Sequence, residues 1–191
     1  MSLPERQSAT YEDLLKVPDT KIAEIIDGEL IVSPRPGIPH AIVASGLGGD
    51  LGPPFQRGRG GPGGWWILFE PELHLGYHIL VPDLAGWRRE RMPVVPADAF
   101  VTLPPDWICE VVSESSRRID RIRKLPIYAS FEVKHAWLIE PESQTLEVYR
   151  LENKHWALVA TFEGDAEVHA EPFDAIMLEL KLLWDRGEVK G

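Results

Sequence analysis

One cysteine, Cys109, in 191 residues leaves no partner for an internal disulfide, which points to a reducing compartment and excludes a disulfide-stapled scaffold. Long apolar runs are missing as well. The longest stops at five residues, Trp65–Phe69, where a membrane-spanning helix needs about 20. The opening Met1-Ser-Leu-Pro-Glu-Arg6 has no basic flank followed by an apolar stretch, so no signal peptide and a cytoplasmic location are expected. Basic charge is scarce: 20 Lys and Arg face 30 Asp and Glu, for a formal net charge of −10. Polyanions are drawn by positive potential, so this balance argues against a general nucleic-acid coat or an anionic-membrane binder.

What is present is the composition of a globular protein. Hydrophobic residues make up 44% and charged residues 26%, enough to bury a core, and the length fits one domain over residues 1–191. Seventeen prolines sit mostly between apolar runs and mark short strands with firm turns. Thr10-Tyr-Glu-Asp13 predicts a capped helix start ending near Val17-Pro18. Asp27-Gly28 between two apolar runs predicts a hairpin. A second helix is expected over 39–51, and the glycine- and proline-rich stretch 52–64 reads as a mobile surface loop. Arg57 and Arg59 within it lack the Gly-Lys-Ser/Thr ending of a phosphate loop. Strands are expected near 65–69, 72–75, 79–87, 106–112, 135–140, 145–151 and 156–162, with helices at 116–130 and in the tail 175–184. The mixture predicts an α/β or α+β fold.

The stretch Trp107-Ile-Cys-Glu110-Val-Val-Ser113 carries the most information. A nearly all-apolar strand is buried on both faces, and alternation puts Glu110 with Ile108 and Val112. A carboxylate there must protonate, meet a cation or bind a metal, so a structural salt bridge and a functional site are both open. Asp83 follows Pro82, which removes a ladder donor and marks a bend. On the next helix, 3.6-residue periodicity places Arg117, Arg121, Lys124 and Tyr128 on one face, with Ile122, Leu125 and Ala129 on an apolar face. Pro126 should kink or shorten that helix. Two carboxylates and a backbone carbonyl, such as that of Val111, suit Mg²⁺, and a lysine beside them suits an anionic transition state. His74 and His78 flank Gly76 in a strand-like setting and do not predict a zinc face, and His135, His155 and His169 are scattered. The tryptophans read as core or edge packing.

Pro82-Asp83, Glu110-Val-Val and Lys124 resemble the PD-(D/E)XK, restriction-endonuclease-like superfamily, and within it the Uma-two family of bacterial endonucleases, formerly a domain of unknown function. Ala23-Glu-Ile-Ile-Asp-Gly-Glu-Leu30, Ser33-Pro34, His40, Asp120, Tyr128-Ala129 and Trp137-Leu-Ile-Glu-Pro141 extend the resemblance over most of the chain. It implies a restriction-endonuclease-like core, a central mixed sheet flanked by helices, and a metal-dependent endodeoxyribonuclease that hydrolyses phosphodiesters with a metal-activated water. Asp83 and Glu110 map to the acids that hold Mg²⁺, with Mn²⁺ as a substitute, and Lys124 is the third catalytic residue. The superfamily lysine two residues after the second acid is replaced by Val112, so the lysine comes from the following helix. Glu24 and His40 match positions near the site, and Arg117, Arg121 and Tyr128 are the expected phosphate contacts. DNA is the expected substrate, and analogy with related nucleases suggests a homodimer. The alternatives are a non-catalytic nucleic-acid- or protein-binding module on the same fold, and a hydrolase of small phosphate esters.

Divided along the chain, the charge is uneven. Residues 86–134 carry nine basic and seven acidic groups, including Arg88-Arg89-Glu-Arg91 and the 117–124 cluster, whereas both flanking parts are acidic. Binding to bulk DNA should therefore be weak and salt-sensitive, which is compatible with a nuclease.

Overall fold

The Asp27-Gly28 pair reverses the chain because both residues take positive φ, 53° and 75°, the combination a two-residue hairpin turn demands. It joins strand β1 (Lys21–Ile26) to β2 (Glu29–Pro34) in antiparallel register. The computed structural model describes residues 8–187, so the segment Met1–Arg6 lies outside the described residues. Before the hairpin, Thr10 caps the short helix α1 (Tyr11–Leu14) in a reciprocal capping box with Asp13.

Two mixed sheets are built from the strands. The first orders β2, β1, β5 (His78–Leu80), β4 (Glu72–Leu75) and β7 (Phe100–Val101), with only the β4–β7 pair parallel. The second orders β11 (His155–Glu163), β10 (Thr145–Glu152), β9 (His135–Glu140), β8 (Trp107–Val111), β6 (Leu84–Arg88) and β3 (Trp65–Phe69), with only β8–β9 parallel. A small ribbon of β12 (Glu167–Val168) and β13 (Leu178–Glu179) completes the strands. The mixed α+β architecture expected from the sequence is present. Among the described residues, no helix is long and apolar enough to cross a membrane.

Strand alternation explains how β8 serves two cores. Trp107, Cys109 and Val111 pack under α2 (Ile38–Leu51) and α4 (Lys181–Trp184), with Val43, Leu47 and Leu183. Ile108 faces the first sheet and α3 (Leu125–Ser130), among Ile26, Leu73, Leu80 and Leu125. All five β8 residues are buried, so the only carboxylate on the strand, Glu110, is held between the two sheets. Phe173, from the loop after β12, is fully buried and meets Phe55, Trp65, Trp107 and Trp137 with ring centroids 4.7–5.6 Å apart.

Three expectations need correction, two of them for one reason. A proline cannot donate its backbone nitrogen, and its ring crowds the carbonyl four residues back; a wider turn relieves both. Residues Gly52–Gln56, expected in a loop, therefore extend α2 as a π-helical turn around Pro53 and Pro54, burying Pro54 and Phe55. Likewise Ile119–Lys124 forms a π segment in which the Leu125 N–H reaches Asp120 O, and the helix runs on through Pro126 into α3. The wider turn shifts the helical phase: Ile122, expected against the sheet, is 65% exposed, and Lys124 turns inward. In the tail, only Lys181–Trp184 is helical, because Leu178–Glu179 pairs as a strand. Truncating Phe173→Ala should lower unfolding free energy by about 3–5 kcal/mol, read from urea denaturation; a loss below about 1 kcal/mol would contradict its place at the centre of this core.

Candidate functional site

β5 ends at Leu80 and β6 begins at Leu84, so Val81-Pro82-Asp83 forms a break between them. Pro82 has no N–H to continue a ladder, and the break turns the Asp83 carboxylate toward β8. There Asp83 Oδ2 accepts the Val111 N–H at 2.6 Å, while Oδ1 lies 2.6 Å from His40 Nε2 on the first turn of α2. Glu110 projects from the other face of β8, 3% exposed, and its Oε1 accepts the Tyr128 hydroxyl at 2.8 Å.

Between the sheets sits Lys124. Its ammonium is 2.9 Å from Glu110 Oε1, 3.0 Å from Glu24 Oε1 and 3.9 Å from Asp120 Oδ1, and it also donates to Val81 O at 3.3 Å. Glu24 belongs to β1 and accepts the Val81 N–H at 2.8 Å through Oε1. Lys124 thus links a carboxylate of one sheet to a carboxylate of the other. Glu24, His40, Asp83, Glu110, Asp120 and Lys124 line one cavity of about 310 Å³.

Burial and crowding set the charges here. Burial pushes the Glu110 carboxyl well above its ordinary range; Lys124 opposes that shift, and Asp120, Asp83 and Glu24 add to it. Asp120 is raised by burial as well, again against the pull of Lys124. Lys124 loses from burial, but Glu110 and Glu24 more than compensate and hold its ammonium well above the ordinary lysine range. Tyr128 is pushed up by burial and by the Glu110 charge, so its hydroxyl stays protonated and donates. The arrangement holds an excess of carboxylates around one fixed ammonium.

Of the expected phosphate contacts, Arg117 and Arg121 share one face as periodicity predicts, and Tyr128 turns inward. Tyr128 has no exposed surface and orients Glu110, so it offers no direct phosphate contact. Arg121 pairs with Glu147 at 2.6 Å and Glu140 at 2.8 Å, and Arg117 pairs with Glu140 at 3.0 Å while staying half exposed. Glu140 is disfavoured by burial, yet hydrogen bonds from Arg121 and Arg117 hold its carboxyl below the ordinary range. Arg88, Arg89 and Arg91 stand at the far end of β6 from Asp83: the first two lie over the Trp65 and Trp66 rings and Arg91 pairs with Asp106. His74 pairs with Glu72, away from the cavity. Arg35 also lines the cavity and carries no signal in the sequence, whereas Asp120 enters through the family resemblance and through its spacing of four from Lys124.

Replacing Lys124 with methionine leaves Glu110 and Glu24 facing each other in the interior, and should cost about 3–5 kcal/mol of stability in urea unfolding. Adding Glu110→Gln to Lys124→Met should recover part of that loss. A double variant less stable than Lys124→Met alone would refute this charge balance.

A protein-family model described as Uma2, putative restriction endonuclease, matches residues 9–182. Among solved structures, the chain is similar to the crystal structure of a putative nuclease belonging to DUF820 from Anabaena variabilis. The two share 24% identity over 92% of this chain and 97% of the other, with a TM-score of 0.73. At that identity, the likeness establishes a shared fold. A search of the curated proteins finds no match.

Proposed function

Because the chain belongs to the Uma2 family, described as putative restriction endonucleases, we propose that the cavity hydrolyses nucleic-acid phosphodiester bonds with a divalent cation, DNA being the expected substrate. The observation that carries this reading is the convergence of Asp83, from the break before β6, and Glu110, from β8, with the buried Lys124 in one solvent-connected cavity.

The residues fit a hard cation. Four carboxylates line the cavity against one ammonium, one guanidinium and one imidazole, and the Glu110 carboxyl, raised first by burial and then by the neighbouring acids Asp120, Asp83 and Glu24, would be relieved by a cation. Among the described residues, no three His, Cys, Asp or Glu side chains form a preformed metal cluster. Asp83 and Glu110 would therefore hold the ion as a pair, with water completing its shell, the habit of Mg²⁺ and of Mn²⁺ in its place. Such an ion supplies Lewis-acid stabilisation of a phosphoryl oxygen and lowers the pKa of water. The chain's own residues do the positioning. His40 and the Val111 N–H fix the Asp83 carboxylate, and Tyr128 and Lys124 fix that of Glu110. Lys124 keeps its proton and contributes fixed positive charge beside the reacting phosphate. Arg117, half exposed beside the helix start, is the phosphate contact that remains; Arg121 braces it through their shared Glu140.

One observation favours a second reading, a binding module without hydrolysis: both Asp83 oxygens and Glu110 Oε1 already have protein partners. Plasmid cleavage in Mg²⁺ or Mn²⁺ separates the two. Wild type should cut, and Asp83→Ala should lose at least about 100-fold, the several kcal/mol of a lost ligand. Equal cutting by both proteins would sink the hydrolytic assignment. Calorimetry without Mn²⁺ heat, together with intact oligonucleotide binding, would favour the binding module. The cation must displace any proton on Glu110, whose carboxyl is raised, so Mn²⁺ affinity should climb as pH rises above the ordinary carboxylate range. Affinity independent of pH there would contradict the assignment of Glu110 as a ligand.

A further inference from the structure

We propose that Phe69 and Arg35 form a subsite for one unpaired nucleotide beside Asp83, a proposal that rests on the nucleic-acid reading of the cavity. Phe69 is the last residue of β3. It pairs with Leu84 in the ladder, and the next residue, Glu70, donates its N–H to Asp83 O at 3.0 Å. The ring is thus a near neighbour of one proposed metal-binding acid. Trp65 and Ile67, on the same strand face, are 1% and 6% exposed, but Phe69 is 52% exposed. A solvent-facing aromatic beside a polar cavity is a stacking platform without an internal partner.

The seat of the ring is shaped by the backbone of α2. A Cβ on Gly48 would come within 1.9 Å of Phe69 Cζ, so only glycine lets the ring lie against the helix there. Beside it opens a cavity of about 280 Å³, bounded by Phe69 and the small side chains of Ala41, Ala44 and Ser45. Arg35, Pro36, His40 and Asp83 line both this space and the catalytic cavity, so the two are contiguous. Arg35 is held in place by Glu70 at 3.0 Å and by Asp19 O at 3.0 Å, with its side chain 53% exposed. Glu70 takes φ 42°, a left-handed conformation strained for a side-chain-bearing residue, of the kind that gathers at ligand clamps. A guanidinium with open donors beside an aromatic face suits a nucleobase and its phosphate.

Charge selects the unpaired form. Duplex binding without base readout depends on rows of free Lys and Arg along the phosphates. Here Arg91, Arg121, Arg123 and Arg150 are engaged with acids, on a chain of net charge −10. Stacking adds affinity that does not need a positive surface, but it requires a base face free of its neighbours. A single strand and a base extruded from a duplex present the same chemistry.

The test is fluorescence anisotropy with Ca²⁺ in place of Mg²⁺, using a labelled single strand, a fully paired duplex and a duplex with one unpaired base. Wild type should bind the first and third more tightly than the second. Phe69→Ala and Phe69→Leu should each weaken single-strand binding roughly 10- to 100-fold, Phe69→Trp should retain it, and the paired duplex should bind all four proteins alike. Preference for the single strand alone assigns the subsite to single strands, and equal preference for the bulged duplex assigns it to extruded bases as well. Unchanged single-strand affinity in Phe69→Ala, or no binding by wild type, overturns the subsite. Cutting by wild type with Phe69-independent binding leaves the nuclease reading standing and removes the subsite. Phe69-dependent binding without any cutting supports the subsite and removes the hydrolytic reading.

Discussion

The ammonium of Lys124, buried between Glu24 and Glu110, is the contact on which the rest of this structure depends. It joins β1 of one sheet to β8 of the other at 3.0 and 2.9 Å. Without it, two carboxylates would face each other in an interior where one unpaired charge costs several kcal/mol. An apolar pair would hold two sheets together as well or better, since buried ion pairs repay their desolvation only with good geometry and further hydrogen bonds. Here those bonds come from Tyr128 to Glu110 and from the Val81 N–H to Glu24. The retention of charge at this point makes sense if the carboxylates have a task beyond packing, and the cavity they line gives them one.

Backbone breaks place the side chains that do this work. Pro82 interrupts the run from β5 to β6 and turns Asp83 to the Val111 N–H. Pro126 is accommodated by the π segment Ile119–Lys124, which rotates Lys124 inward and leaves Ile122 outside. In both places a residue that cannot donate a backbone hydrogen bond disrupts regular structure, and the disruption carries a site residue.

Much of this was legible in the sequence, and the failures have physical causes. The hairpin at Asp27-Gly28 and the doubly buried β8 are local signals, fixed by turn chemistry and alternation, and both are present. Residue type and setting mark Asp83 and Glu110, the family resemblance adds Lys124, Glu24 and His40, and all five line one cavity. Arg117 and Arg121 share a face as a 3.6-residue period predicts, both meeting Glu140, whereas Lys124 and Tyr128 turn inward across the wider turn, which no periodicity reveals. Long-range pairing decided the rest. Neither Arg117–Glu140 nor the seating of Phe69 against Gly48 leaves a trace in local pattern. The overall acidity also reads differently once the pairs are known: it is spent on holding arginines as well as on the cavity.

The most direct test of the central claim, that this cavity is a divalent-cation site for phosphodiester chemistry, is anomalous diffraction from crystals soaked in Mn²⁺. The account predicts one strong peak between the carboxylates of Asp83 and Glu110, lost in Asp83→Ala. Saturating Mn²⁺ with no peak there, or a peak unaffected by that substitution, would contradict it.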